Sequence, residues 1–213
     1  MKKQLFACAL ALALASGAAA APPAPQPPAG AYKVDPAHAN LTFRVSHLGF
    51  SRYTAKFNRF DAALKFDPAN PAAMSVEATI DPKSLELNAP PAGFTDEILG
   101  PQWLDAAKYP QITFRSTKVE VTGANTARVT GDFTLHGVTK PVVLEVSYNG
   151  GWPPNQFDQG GARAGFSAHG TFKRSDFGVK LGLPPPGTSF GVGDEIDVAI
   201  EAEFSDGHPL PKK

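Results

Sequence analysis

The chain is 213 residues long, enough for one domain of ordinary size plus a targeting segment. Its 20 Lys and Arg balance its 20 Asp and Glu, which excludes a strongly basic nucleic-acid-binding face and an acidic tail as dominant features. A single cysteine excludes an intramolecular disulfide and a cysteine-based metal cluster, while 15 Phe supply apolar material for a core.

Residues 1–20 read as a bacterial-type secretory signal. Lys2 and Lys3 form the basic start, Leu5 to Ala15 the apolar run, and Ala18-x-Ala20 the small-residue cleavage pattern. The run is too short for a permanent membrane span. Leu5-Phe6-Ala7-Cys8 resembles a lipoprotein box, but Cys8 would leave almost no apolar stretch before the cut and a long one after it. Loss of Lys2 and Lys3 leaves 18 basic against 20 acidic side chains, a charge of −2. Residues 21–30 carry five prolines and read as an extended spacer. Residues 31–206 form the expected domain, and 207–213 a short tail.

Within that domain the dominant period is two. Leu41, Phe43 and Val45 alternate with Thr42, Arg44 and Ser46. The same pattern recurs at Ile112/Phe114, Val129–Leu135, Val142–Tyr148, Ala164–Phe172 and Ile196–Phe204. Strict alternation predicts antiparallel strands with one buried and one wet face. Turn chemistry at 67–71, 123–125, Gly137 and 149–151 separates the runs. The expected fold is therefore all-β: about eight antiparallel strands at short spacing, in a barrel or a sandwich. Small residues (Gly131, Ala168, Gly170, Ala202) share faces with Phe and Ile, as a small or hollow barrel requires. One stretch breaks the pattern. Phe94–Leu99 and Pro101–Ala107 read as two short helical pieces, with Gly100 capping the first. In this insertion near residues 94–107, Phe94, Ile98, Trp103 and Leu104 read either as a lid over one end of a barrel or as a plain plug of it.

Catalytic motifs fail on inspection. Gly165-Phe166-Ser167-Ala168-His169 lacks the final glycine and the strand-turn-helix context of a nucleophile elbow. Asp176-Phe177-Gly178 has no phosphate loop or catalytic loop to serve, and Gly191-Val192-Gly193 lacks the third glycine of a nucleotide fingerprint. His38, His47, His136, His169 and His208 show no pair at ligand spacing, so no metal site is expected. A metal- or histidine-dependent hydrolase stays open as the alternative function. His136 is expected on a solvent-facing strand position, and His47 in a turn with its ring bonded near Leu48-Gly49. Arg174 and Asp176 read either as an ion pair closing the rim or as a charged mouth.

The order of local motifs resembles the YceI-like family of periplasmic polyisoprenoid-binding proteins. The carriers of the resemblance are Tyr32–His38, Phe43–Gly49, Trp103-Leu104-Asp105 with Tyr109–Phe114, Gly131–Lys140 and Arg174–Gly178. They run in family order over residues 32–204. The resemblance implies a lipocalin-like barrel whose apolar tunnel holds a long isoprenoid, either a polyprenyl lipid or a quinone tail. It also implies a periplasmic location and no catalytic residues. No cofactor is expected beyond such a lipid ligand. Expected partners are that lipid and a transient membrane surface; nucleic acid is excluded, and a homodimer is left open. The inward alternation set then supplies the tunnel candidates: Phe43, Val45, Ile112, Phe114, Phe133, Leu135, Leu144, Phe166, Phe172 and Phe177. His47, Arg174 and Asp176 are the head-group candidates. Many family members carry an Arg-Asp pair and a nearby His-Leu in the region where this chain has Phe94–Gly100, so head-group recognition there is expected to differ. Alternation alone does not separate a lined tunnel from a filled core.

Overall fold

The computed structural model describes residues 25–158 and 161–207; the signal segment and the end of the C-terminal tail lie outside them. Ten strands form: β1 Gly30–His47, β2 Ser51–Phe57, β3 Phe60–Phe66, β4 Ser75–Ile80, β5 Leu85–Glu86, β6 Ile112–Val121, β7 Thr126–Leu135, β8 Val138–Trp152, β9 Arg163–Lys173 and β10 Val192–Ser205. One helix, α1 (Phe94–Leu99), interrupts them.

The ten strands occupy eight lanes. The sheet runs β10-β9-β8-β7-β6-β4-β3-β1, and β1 pairs back onto β10, closing a barrel in which every pairing is antiparallel. β2 continues the lane of β3 along the C-terminal half of β1, from Leu41↔Phe57 to His47↔Ser51, and β5 continues that of β4. The break between β2 and β3 is pinned by Ser84, which is buried. Its Oγ accepts from the Arg59 N–H at 3.0 Å and donates to the Asp81 carbonyl at 2.7 Å. Closure leaves the ring of eight lanes without a terminal strand, and only β5 and the start of β2 pair on one side alone among the lane extensions. The β1–β10 seam joins residues far apart in sequence, such as Asn40 and Glu201.

The connections follow local chemistry. Between β7 and β8 only His136 and Gly137 intervene, both at positive φ (51° and 75°), the primed turn that matches strand twist. His136 is therefore a turn residue, half-buried against Tyr109 with ring centroids 5.0 Å apart, rather than a solvent-facing strand position. The second expected helical piece is also replaced. After α1, the N–H groups of Trp103, Leu104, Asp105 and Ala106 bond back to Gly100, Ile98, Gly100 and Leu99. The chain thus coils over the end of α1 instead of continuing, with Asp105 at φ 44°.

Two apolar clusters stack along the barrel axis. One centres on Tyr32, Phe66, Ala164 and Phe204; the other on Leu41, Ile112, Leu135 and Phe177. Gly131 sits where a Cβ would strike the Phe114 ring, so alternating small and large residues let the wall close on itself.

Candidate functional site: an apolar cavity through the barrel

A cavity of about 1090 Å³ occupies the barrel interior. One end is lined by His47, Tyr53, Asn88, Phe94, Trp103 and Val192, the other by Gln26, Pro68, Met74, Asn125 and Tyr148. The cavity therefore runs the length of the barrel, and its wall is almost entirely apolar side chains. The same inward residues build both the core and the cavity, since eight strands enclose just enough room for side chains or one small ligand.

Nine of the ten side chains singled out by alternation line this space: Phe43, Val45, Ile112, Phe114, Phe133, Leu135, Leu144, Phe166 and Phe172. Phe177 does not. It lies in a 3₁₀ turn (Arg174–Phe177), 1% exposed, its ring edge-on to Phe133 and Phe172 at 5.3 and 5.4 Å. The chain leaves β9 at Lys173, so Phe177 belongs to the turn and not to the alternation of that strand. Sequence reasoning left out much of the opposite wall: Phe57, Phe60, Leu64, Phe66, Val76 and Ile200. Its signal was present in the alternation Phe60, Ala62, Leu64, Phe66 against Asp61, Ala63, Lys65.

Phe94, Ile98, Trp103 and Leu104 all line the cavity, so the insertion does cover one mouth. No residue of α1 is buried, and a single turn-and-a-half of helix has little stability of its own. What anchors the lid is Trp103, whose ring lies 5.2 Å from the Arg174 guanidinium, and the buried Ala106.

Arg174 is 4% exposed and makes no ion pair with Asp176. Its Nε donates to the Gly193 carbonyl, Nη1 to Val179 and Leu181, and Nη2 to Val192, at 2.8–3.1 Å. Four of its five donors are thus committed to backbone, tying the 179–192 loop to the barrel. Burial pushes its guanidinium below the usual value, and Asp194 partly offsets this. Asp176 points to the surface, 3.2 Å from Lys140. Two residues apart on a strand would share a face, but the 3₁₀ turn at Arg174 sends the two side chains to different places. Of the head-group candidates, His47 and Arg174 line the cavity and Asp176 does not. His47 is exposed at the end of β1, at the mouth, and only its backbone carbonyl engages the turn, accepting from the Phe50 N–H at 2.9 Å. Trp103 Nε1 and His136 Nε2 are buried without a hydrogen-bond partner among the described residues.

The proline-rich segment packs against the opposite end. Pro27 is fully buried, Tyr32 donates to the Pro28 carbonyl at 2.7 Å, and Tyr148 donates to Gln26 Oε1 at 3.0 Å. Residues 25–28 are thus packed on the barrel rather than serving as spacer. Desolvation, with smaller effects from Asp206 and Tyr148, pushes the Tyr32 phenol up to about 12. Just outside, Asp35 is bonded by Arg163 and by His38, whose Nδ1 is 3.0 Å away; Arg163 also binds Asp158. The Arg163 hydrogen bond, then that of His38, hold the Asp35 carboxyl well below the usual carboxylate range. Among the described residues no cluster of three His, Asp or Glu side chains is placed to hold a metal ion, and no helix is long and apolar enough to cross a membrane.

A closed antiparallel barrel around one elongated apolar cavity defines a binding protein of the lipocalin-like architectural class. Comparison with known proteins gives the family. The YceI-like domain model matches residues 32–204. Protein YceI of Escherichia coli O157:H7 is 41% identical over 179 residues, covering 82% of this chain and 86% of the relative. A UPF0312 protein of Shewanella oneidensis is 38% identical over 203 residues, covering 94% and 98%. Among solved structures, Burkholderia cenocepacia BcnA superposes with a TM-score of 0.66 at 30% identity, covering 80% of this chain and 98% of that one. A polyisoprenoid binding domain from Saccharophagus degradans shares the fold, with a TM-score of 0.56 at 12% identity over 82% of this chain and 97% of its own. The chain belongs to the YceI-like family.

Proposed function

We propose that this protein is a periplasmic carrier that sequesters one long-chain isoprenoid amphiphile, a polyprenyl lipid or a quinone tail, in the barrel cavity. The observation that carries the reading is the cavity itself: apolar and lined by residues from both ends of the barrel. An isoprenoid tail offers only apolar surface, so its affinity grows with the length that the wall keeps from water, at about 25 cal/mol per Å². Taking a water molecule's share of liquid volume, roughly 30 Å³, for each close-packed non-hydrogen atom, 1090 Å³ holds on the order of 35 atoms, or about seven five-carbon units. The polar head belongs at the mouth, beside His47. The signal-like segment 1–20 supports export. The reading includes no catalytic step: His136 packs on Tyr109, and His38 pairs with Asp35.

The test is to purify the protein from the periplasm, extract it with organic solvent and identify the lipid by mass spectrometry. An isoprenoid of about that length is the expected result. Absence of any co-purifying long-chain lipid, together with no uptake of added polyprenol or quinone, would overturn the proposal.

A further inference from the structure

Both ends of the barrel expose aromatic side chains, and their charge distinguishes them. At the open end, Phe50 is 84% exposed and Phe190 72%, with Leu181 beside them on the 179–192 loop. The two turns that carry the phenylalanines touch. Leu48 donates to the Gly191 carbonyl at 2.8 Å, and Gly49 packs against the Ser189 side chain. Phe50 follows His47 and Phe190 precedes Val192, both of which line the cavity mouth. The aromatic pair is therefore part of the rim through which a ligand enters.

No carboxylate occurs between Leu48 and Thr54 or between Val179 and Gly193; the charges in these stretches are Arg52 and the exposed Lys180. The carboxylates of this end are placed elsewhere. Asp194 accepts from Ser175, Asp197 is paired with Arg52, and Asp96 and Glu97 stand on the first turn of α1. At the opposite end the exposed Trp152 and Phe157 lie by the carboxylates of Asp35, Asp158 and Glu203, which gather on the guanidinium of Arg163, with His38 also on Asp35. The aromatics of the open end thus stand on turns whose own charges are Lys180 and the Asp197-paired Arg52, whereas those of the other end stand beside three carboxylates.

We propose that the Phe50–Leu181–Phe190 rim docks the barrel mouth on an anionic lipid bilayer. Aromatic side chains at loop tips enter the headgroup and acyl boundary, while Arg52 and Lys180 meet lipid phosphates. Burial of the rim then lets an apolar ligand pass between bilayer and cavity without crossing water. The passage of ligand rests on the carrier reading above; the docking surface does not.

Flotation with vesicles of phosphatidylethanolamine and phosphatidylglycerol that contain no isoprenoid tests it. The wild-type protein floats, and added salt weakens its partition. Losing two inserted rings in the Phe50→Ser/Phe190→Ser variant lowers the partition by about tenfold or more, with an unchanged circular dichroism spectrum. Lys180→Glu lowers it too, and Phe157→Ser, at the opposite end, leaves it as in wild type. The proposal is overturned if wild type stays with the soluble fraction, if the double variant floats like wild type, or if Phe157→Ser matches the double variant. A dimer that the double variant splits, with no flotation of wild type, would assign the patch to a second copy and overturn it as well. Lipid content is measured separately. Flotation without any co-purifying lipid leaves docking intact and removes the carrier reading, and the converse result removes only docking.

Discussion

Replacing Arg174 with leucine keeps much of the buried volume but deletes the four hydrogen bonds to the carbonyls of Val179, Leu181, Val192 and Gly193. A hydrogen bond to a charged group contributes about 1.5–3 kcal/mol, and a buried acceptor left unpaired costs about 1–3 kcal/mol. Full addition overshoots, because the half-exposed loop carbonyls regain water and the desolvation cost of the guanidinium disappears with it. Loss of one partner from a buried charged network is worth about 3–5 kcal/mol. At roughly 2–4 °C per kcal/mol for a domain of this size, the melting temperature falls by about 6–20 °C. Thermal unfolding followed by circular dichroism measures the drop. Arg174→Lys recovers only part of it, because an ammonium has three donors on one point and cannot fork to four carbonyls. If Arg174→Leu melts within about 3 °C of wild type, less than the smallest loss worked out above, the guanidinium does not hold the loop.

Three further outcomes follow from the same geometry. Ala168→Phe places a ring in the cavity between the lanes of Val146 and Ile200; mass spectrometry of the extracted ligand should show shorter chains or none, while stability changes by under about 2 kcal/mol because the ring enters open space. Phe177→Ala, outside the cavity wall, should cost about 3–5 kcal/mol in denaturant unfolding and leave the length of the retained chain unchanged; altered chain length would place Phe177 in the tunnel after all. His38 has its folded pKa raised, first by its hydrogen bond to Asp35, so its contribution is complete below the unfolded value and fades as pH rises through the folded one. Asp35, shifted the other way, keeps its charge throughout that window. The loss of melting temperature in His38→Ala should therefore be larger at about pH 5.5 than at about pH 8, and equal losses would show that the pair does not form in solution.

Much of the barrel was legible because strand alternation is a local property. Ile196, Val198 and Ile200 face inward for the same reason that Asp197 and Glu201 face out, and reading one in two residues recovers that without any knowledge of neighbours. The misreadings fall where local structure departs from the period. Phe177 and Asp176 lie past the end of β9 in a 3₁₀ turn, and His136 lies in a two-residue turn at positive φ. Trp103 and Leu104 line the cavity, but not as helix: the carbonyls at the end of α1 recapture the chain in turns. The proline-rich segment reads as a spacer because proline runs disfavour regular structure; its docking depends on Tyr32, four residues after Pro28 in β1, and on Tyr148, 122 residues after Gln26 in β8.

The sequence by itself determined that this is an antiparallel β protein, which side chains point inward, and which motifs carry the family likeness. It did not determine whether the inward Phe, Leu and Ile side chains meet one another or surround a space. That depends on the barrel radius, which is set by the number of lanes and their stagger once β1 pairs with β10. Alternation reports the face of each residue but carries no information on the distance to the opposite wall. Only closure of the chain on itself fixed that distance, and left a cavity where a core of the same composition would otherwise have filled.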